Sequence, residues 1–146
     1  MKKYAPSLLL LLLCAVLPRT MLSTPPSLSE ALLFHFTHAN VFHFAVNALF
    51  LVSFKPRWTT ALAAFFIASA AAYLPFTGMS APTCGISGIC FAMIARRDVA
   101  WRVLNWNLLL LNIPTIFLPM FNWKLHLASY ILSFILWKII YLRRKK

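Results

Sequence analysis

Six apolar runs, at about 5–18, 35–54, 58–75, 84–95, 101–120 and 124–142, occupy most of this chain and leave few polar residues to cover them. Of its 146 residues 62% are hydrophobic, and the mean hydropathy is +0.80. Soluble domains are nearer half apolar, and a soluble core of this length could not hide the surplus. A helical membrane span needs roughly 20 residues, so six runs nearly exhaust the chain and leave no room for a soluble domain. The expected fold is a single all-α polytopic membrane domain over residues 1–146, a bundle of six transmembrane helices. Pro18, Pro25, Pro26, Pro56, Pro75, Pro82 and Pro119 fall at or between the runs, where helices end. Pro114 lies inside the fifth run and is expected to kink it.

The net charge of +12 resembles that of a nucleic-acid binder, but its distribution does not. The basic residues form short clusters between apolar runs, as topology signals do. With the amino terminus inside, the inner loops and tails hold Lys2, Lys3, Lys55, Arg57, Arg96, Arg97, Arg102, Arg143, Arg144, Lys145 and Lys146, and the outer loops hold only Arg19 and Lys124. Both termini are therefore expected on the cytoplasmic side of a cell membrane, the inner membrane if the source is bacterial. The first run has a rival reading. Lys2 and Lys3 ahead of Leu8–Leu13 resemble a signal peptide, but no small-residue cleavage site follows, which favours an uncleaved span. The three cysteines, Cys14, Cys84 and Cys90, offer neither a disulfide framework nor metal spacing and read as buried, inert thiols.

This topology assigns depth to the polar residues. His35, His38, His43 and Asn47 fall in the outer half of the second run, Gly85, Ser87 and Gly88 at the outer start of the fourth, and His126 at the outer start of the sixth. Polar groups in a bilayer usually face the bundle interior or a wet cavity, so their common depth marks a site. From Ser87 to the basic pair at Arg96 is about 14 Å at helical rise, half of a hydrocarbon core about 30 Å thick. Ser87 then lies below the outer surface, at a helix amino terminus that favours developing negative charge. All three glycines, Gly78, Gly85 and Gly88, fall in one eleven-residue stretch around this serine, a sign of unusual backbone. His43 and Asn47 share one helix face. His38 is read as a structural residue of the outer loop, and His35 as interfacial.

Thr37-His38 followed by His43-x-x-x-Asn47, then Gly85-Ile86-Ser87-Gly88, then His126 opening the last run, together resemble the rhomboid family of intramembrane serine proteases. The resemblance covers essentially the whole chain in a minimal six-span form. It implies a Ser87–His126 dyad that hydrolyses peptide bonds in or near the transmembrane segments of single-span membrane proteins. It implies an oxyanion hole from the Ser87 N–H and the side chains of His43 and Asn47, with Gly85 and Gly88 permitting the turn and close packing. Phe91 matches an aromatic ring that packs on the family's catalytic histidine. The fifth run, with Asn112 and Pro114, would be a side gate. Two features depart from the pattern: the last helix carries Ser129 and Ser133 where the family has glycines, and the first outer loop lacks the family's Trp-Arg pair.

Other chemistries lack their residues. The two acidic residues, Glu30 and Asp98, give no aspartyl pair and no intramembrane carboxylate for proton coupling, and no His-Glu-x-x-His zinc motif occurs. No cofactor or metal is expected, although His35, His38 and Cys84 are the residues that a metal would have to use. Two other readings stay open: a rhomboid-like pseudoprotease that holds transmembrane helices without cutting them, and a small membrane scaffold in which Ser87 is ordinary packing.

Overall fold

A computed structural model of the chain describes residues 2–23, 25–77, 83–101 and 122–144, and for residues 2 and 98–101 the backbone alone. The fifth apolar run, Asn112, Pro114 and Gly78 lie outside the described residues. Every regular element among the described residues is helical: α1 (Ala5–Val16), α2 (Leu28–Leu33), α3 (Val41–Phe54), α4 (Trp58–Ala71), α5 (Ser87–Trp101) and α6 (Trp123–Arg143), with 3-10 turns at Lys2–Tyr4 and Phe34–Phe36. One isolated bridge pairs Leu22 with Thr83, joining the loop after α1 to the loop before α5.

Local chemistry sets most of these boundaries. Pro6 sits in the first turn of α1, where its missing N–H costs nothing. Ser27 caps α2 in a capping box with Glu30, each satisfying a donor that the helix leaves open. The Asn40 side chain accepts from the His43 N–H at 2.8 Å and starts α3. Lys55 ends α3 with a left-handed backbone, φ 51°, and Pro56 follows it.

These caps correct the sequence reading of the second run. The run at 35–54 is not one straight helix. Residues 28–36 and 41–54 meet at 85°, because the chain leaves the helical region over Thr37–Asn40 and restarts on the Asn40 cap. The other runs shift at their ends. α1 stops at Val16 and α4, the helix of the third run, at Ala71, while α5 continues past Ala95 and the basic pair to Trp101. Only α6 is by itself long and apolar enough to cross a membrane among the described residues. The bent pair passes the same test as a unit, and α1 and α4 are shorter apolar helices.

α4, α5 and α6 pack on one another, α3 also touches α5, and α1 packs on α3 and on the 3-10 turn after α2. Small residues make the close approach. Ala61, Ala64, Ala68 and Ala71 are buried on α4, and Ala92 and Ala95 on α5. Gly88 faces α6 across so small a gap that a Cβ there would stand 3.3 Å from Ser129 Oγ. Ser129 and Ser133 are fully buried, and Ser133 Oγ donates to the Ala92 carbonyl at 2.6 Å. The serines that replace the expected glycines thus still allow tight packing, and one adds an interhelical hydrogen bond, as small polar residues do between apolar helices. Ser7 Oγ ties α1 to α3 by donating to the Leu51 carbonyl at 2.7 Å.

Much of the outer surface is apolar: Leu8, Leu12, Val41, Phe42, Leu49, Leu62, Phe66, Ile135, Ile139 and Leu142 are all exposed. A water-soluble monomer rarely presents so extended an apolar skin.

Candidate functional site

Ser87 is the first residue of α5, and His126 lies in the first turn of α6. The close packing of these two helices at Gly88 and Ser129 brings their starts together. Ser87 Oγ and His126 Nε2 are 2.7 Å apart, within strong hydrogen-bonding distance. Ser87 is half-buried, whereas His126 is 6% exposed, so the hydroxyl faces the opening and the imidazole stands behind it. Phe91, one turn beyond Ser87, stacks flat on the His126 ring, with centroids 4.7 Å apart and planes 8° from parallel. The stack fixes the ring orientation. Among the described residues no side chain or carbonyl bonds His126 Nδ1.

The two acidic residues take no part in this pair. Glu30 is occupied at the start of α2 by the Ser27 N–H at 2.8 Å and the Ser23 hydroxyl at 2.7 Å. Hydrogen bonds from the Ser27 backbone, then from the Ser23 and Ser27 hydroxyls, hold its carboxyl below the usual carboxylate range. Asp98 lies eleven residues beyond Ser87 on α5, about 16 Å along the helix.

The loop that delivers Ser87 has a special backbone. Gly85 has φ +112°, a region that residues with side chains rarely enter. Its N–H donates to the Phe34 carbonyl at 3.0 Å, so the 3-10 turn after α2 holds the serine loop in place. On its other side lies the His43 ring: a Cβ at Gly85 would be 2.5 Å from Cε1 and 2.8 Å from Nε2. His43, Thr83, Cys84, Gly85, Ser87, Asn122, Leu125 and His126 line a tight cleft with an accessible volume of about 10 Å³, room for about one water.

Of the residues singled out in the sequence, Ser87, His126, Phe91, Gly85 and His43 meet around this cleft. Gly88 sits behind it at the α5–α6 contact. Asn47 does not line it. Asn47 lies one turn further along α3, 6% exposed, with its side-chain Nδ2 unpartnered.

One histidine differs from expectation. His35 is fully buried rather than interfacial, and its Nε2 lies 3.1 Å from Ser69 Oγ on α4. His38 hydrogen-bonds the Phe36 backbone at the end of the first outer loop. It packs edge-on against the His43 ring at 5.1 Å and against Phe44 at 5.2 Å, which limits where His43 can swing. Thr37 also fastens this loop: its Oγ1 accepts from the Thr20 N–H at 2.6 Å. The cysteines are free, but Cys14 and Cys84 are only half-buried, and Cys84 borders the cleft. Among the described residues no three histidine, cysteine or acidic side chains gather as a metal site would require.

Asn122 went unnoticed in the sequence and is central to the cleft. Its Oδ1 accepts from the Leu125 N–H at 2.9 Å and caps α6. Its Nδ2 donates to the Thr77 carbonyl and to Thr83 Oγ1, both at 2.9 Å. One amide thus ties the helix that carries His126 to the loop that carries Ser87. Asn122→Ala is expected to cost about 2–3 kcal/mol, from a lost cap and two buried groups left unsatisfied. Thermal unfolding in detergent measures this. Asn122→Asp keeps the cap acceptor but loses both donors and is expected to recover only part of the loss.

No protein-family model matches the chain, and no curated protein matches it in sequence.

Proposed function

We propose that the chain is a membrane-embedded serine protease of rhomboid type, and the observation that carries this reading is the 2.7 Å approach of Ser87 Oγ to His126 Nε2. The hydroxyl and the imidazole are in position for proton transfer. The cleft is open at the serine and closed behind the histidine. Ser87 sits at the first turn of α5, where backbone N–H groups have no helical acceptor and attract negative charge.

In this mechanism Ser87 Oγ attacks the scissile carbonyl as its proton passes to His126 Nε2. That step requires the tautomer with the hydrogen on Nδ1. The tetrahedral oxyanion forms beside the Ser87 N–H and the His43 ring, which supply the stabilising donors. The imidazolium then returns the proton to the leaving amine, and an acyl-enzyme remains on Ser87. Water enters through the mouth of the cleft and attacks the acyl carbon as its proton passes to His126, which returns the proton to Ser87 Oγ as the Oγ–acyl bond breaks and the new carboxyl group leaves. Asn47, deeper on the same face of α3, has an amide hydrogen to give once a substrate carbonyl or a water reaches it.

The apolar outer surface and the clustered basic loops support a bilayer location, with six spans as the finer proposal and both termini on the cytoplasmic side. The substrate would be a single-span membrane protein whose helix unwinds readily near the outer surface, since an extended backbone is needed to reach Ser87.

The decisive experiment is labelling of the purified protein in detergent by a fluorophosphonate. Wild type is expected to label covalently at Ser87, as mass spectrometry of the labelled peptide would show. Folded wild-type protein that resists labelling would overturn the protease reading and leave a helix-binding, non-cutting protein in its place.

A further inference from the structure

The other end of the bundle holds a larger opening. The end of α3, the start of α4 and the later turns of α5 and α6 enclose a cavity of about 400 Å³, in the range of small-molecule pockets. Its walls include Lys55, Arg57, Arg96, Arg97 and Arg144. It lies nine residues down α5 from Ser87, about 14 Å away along the helix, and shares no lining residue with the cleft.

A cavity with five cationic side chains stores repulsion. Arg57 and Arg144 both stand close enough to Arg96 to work against its charge. No carboxylate lines the cavity among the described residues. The whole chain has only two acidic side chains, and Glu30 is held in the α2 cap. Even with Asp98 and a terminal carboxylate counted against the five cations, an excess of three remains. The Arg96 guanidinium lies over the Trp137 ring at 4.4 Å, a contact that orients the charge without neutralising it. Trp137 is itself a wall of this cavity.

We propose that this cavity binds a phosphate-bearing anion of two or more negative charges, supplied as the headgroup of an anionic lipid. Guanidinium groups match phosphate oxygens with paired hydrogen bonds, which explains why four of the five cations are arginine. Basic pockets between helices at the cytoplasmic face are suited to such headgroups. The lipid source rests on the membrane reading above; the phosphate chemistry rests on the cavity alone.

Native mass spectrometry of the full chain in neutral detergent tests the proposal, with cardiolipin, phosphatidylcholine and inorganic pyrophosphate as probes. Cardiolipin is expected to give a single 1:1 adduct, and phosphatidylcholine none. Arg96→Gln with Arg144→Gln should weaken the adduct at least tenfold. Lys55→Gln with Arg57→Gln, at two exposed positions, should weaken it severalfold without disturbing the fold. Arg19→Gln with Lys124→Gln, at the cleft end, should leave it unchanged. Circular dichroism and elution volume check folding independently of serine labelling, so this test and the protease test fail separately. Pyrophosphate that binds as tightly as cardiolipin would place the source in solution and overturn the lipid assignment. Equal cardiolipin retention by all three double variants, or a ladder of several adducts, would overturn the site.

Discussion

Ser87→Ala and His126→Ala are each expected to lower hydrolysis of a transmembrane substrate in proteoliposomes by about 10⁴-fold or more, and the double variant to fall no further. The equality follows from the geometry. Ser87 Oγ and His126 Nε2 are bonded to each other at 2.7 Å, and neither has another described partner that could perform its step. Without the imidazole the hydroxyl keeps its proton and is a poor nucleophile. Without the hydroxyl the imidazole has nothing to activate. Two groups that act as one unit give losses that do not multiply. Phe91→Ala tests the support rather than the chemistry. It removes the ring stacked on His126 and is expected to cost about tenfold, since a misplaced base still reaches the serine part of the time. A product of two independent losses in the double variant would mean that Ser87 and His126 serve separate roles, and the dyad would be wrong.

What could be read from the sequence divides by contact range. Ser87, Gly85 and Phe91 belong to one short stretch whose glycines and serine announce a turn into a helix. His126 was found because its run begins at the same depth. The break at Thr37–Asn40 was missed although its cause is local. Asn40 is a good cap, and His35, Thr37, His38 and Asn40 interrupt the apolar pattern between Phe34 and Val41, but these polar residues read as parts of a site and a loop within one run. Asn122 was missed for a different reason. Its partners Thr77 and Thr83 lie 45 and 39 positions away, and no spacing rule joins an asparagine before one apolar run to threonines before another. His35 likewise shows its role only when α4 brings Ser69 to it. The basic cavity was visible only as a charge count. Lys55, Arg57, Arg96, Arg97 and Arg144 were each read as topology signals, and only the packing of four helices makes them one site.

Gly85→Ala is expected to cut fluorophosphonate labelling by about 100-fold while the protein still folds. Two independent constraints meet at this residue. Its φ of +112° strains any residue with a Cβ, at a cost of about 1–3 kcal/mol. The added methyl would also meet the His43 ring at 2.5 Å. The loop has little freedom to yield, because the Gly85 N–H is held by the Phe34 carbonyl and Thr83 is held by Leu22 and Asn122. His43 is restrained in turn by His38. The displacement therefore passes to Ser87, two residues on, where about 1 Å is enough to spoil the approach to His126. Gly88→Ala is the control. Its Cβ would stand 3.3 Å from Ser129 Oγ and 3.5 Å from the Ala68 Cβ, contacts that a small helix shift relieves. Its expected loss is severalfold, and Gly88→Ala with Ser129→Gly should recover it. Gly85→Ala with His43→Ala removes the collision but keeps the backbone strain, and is expected to remain at least tenfold below wild type. Wild-type labelling by Gly85→Ala alone would mean that the His43 ring does not press on the serine loop, and His43 would lose its place beside the oxyanion.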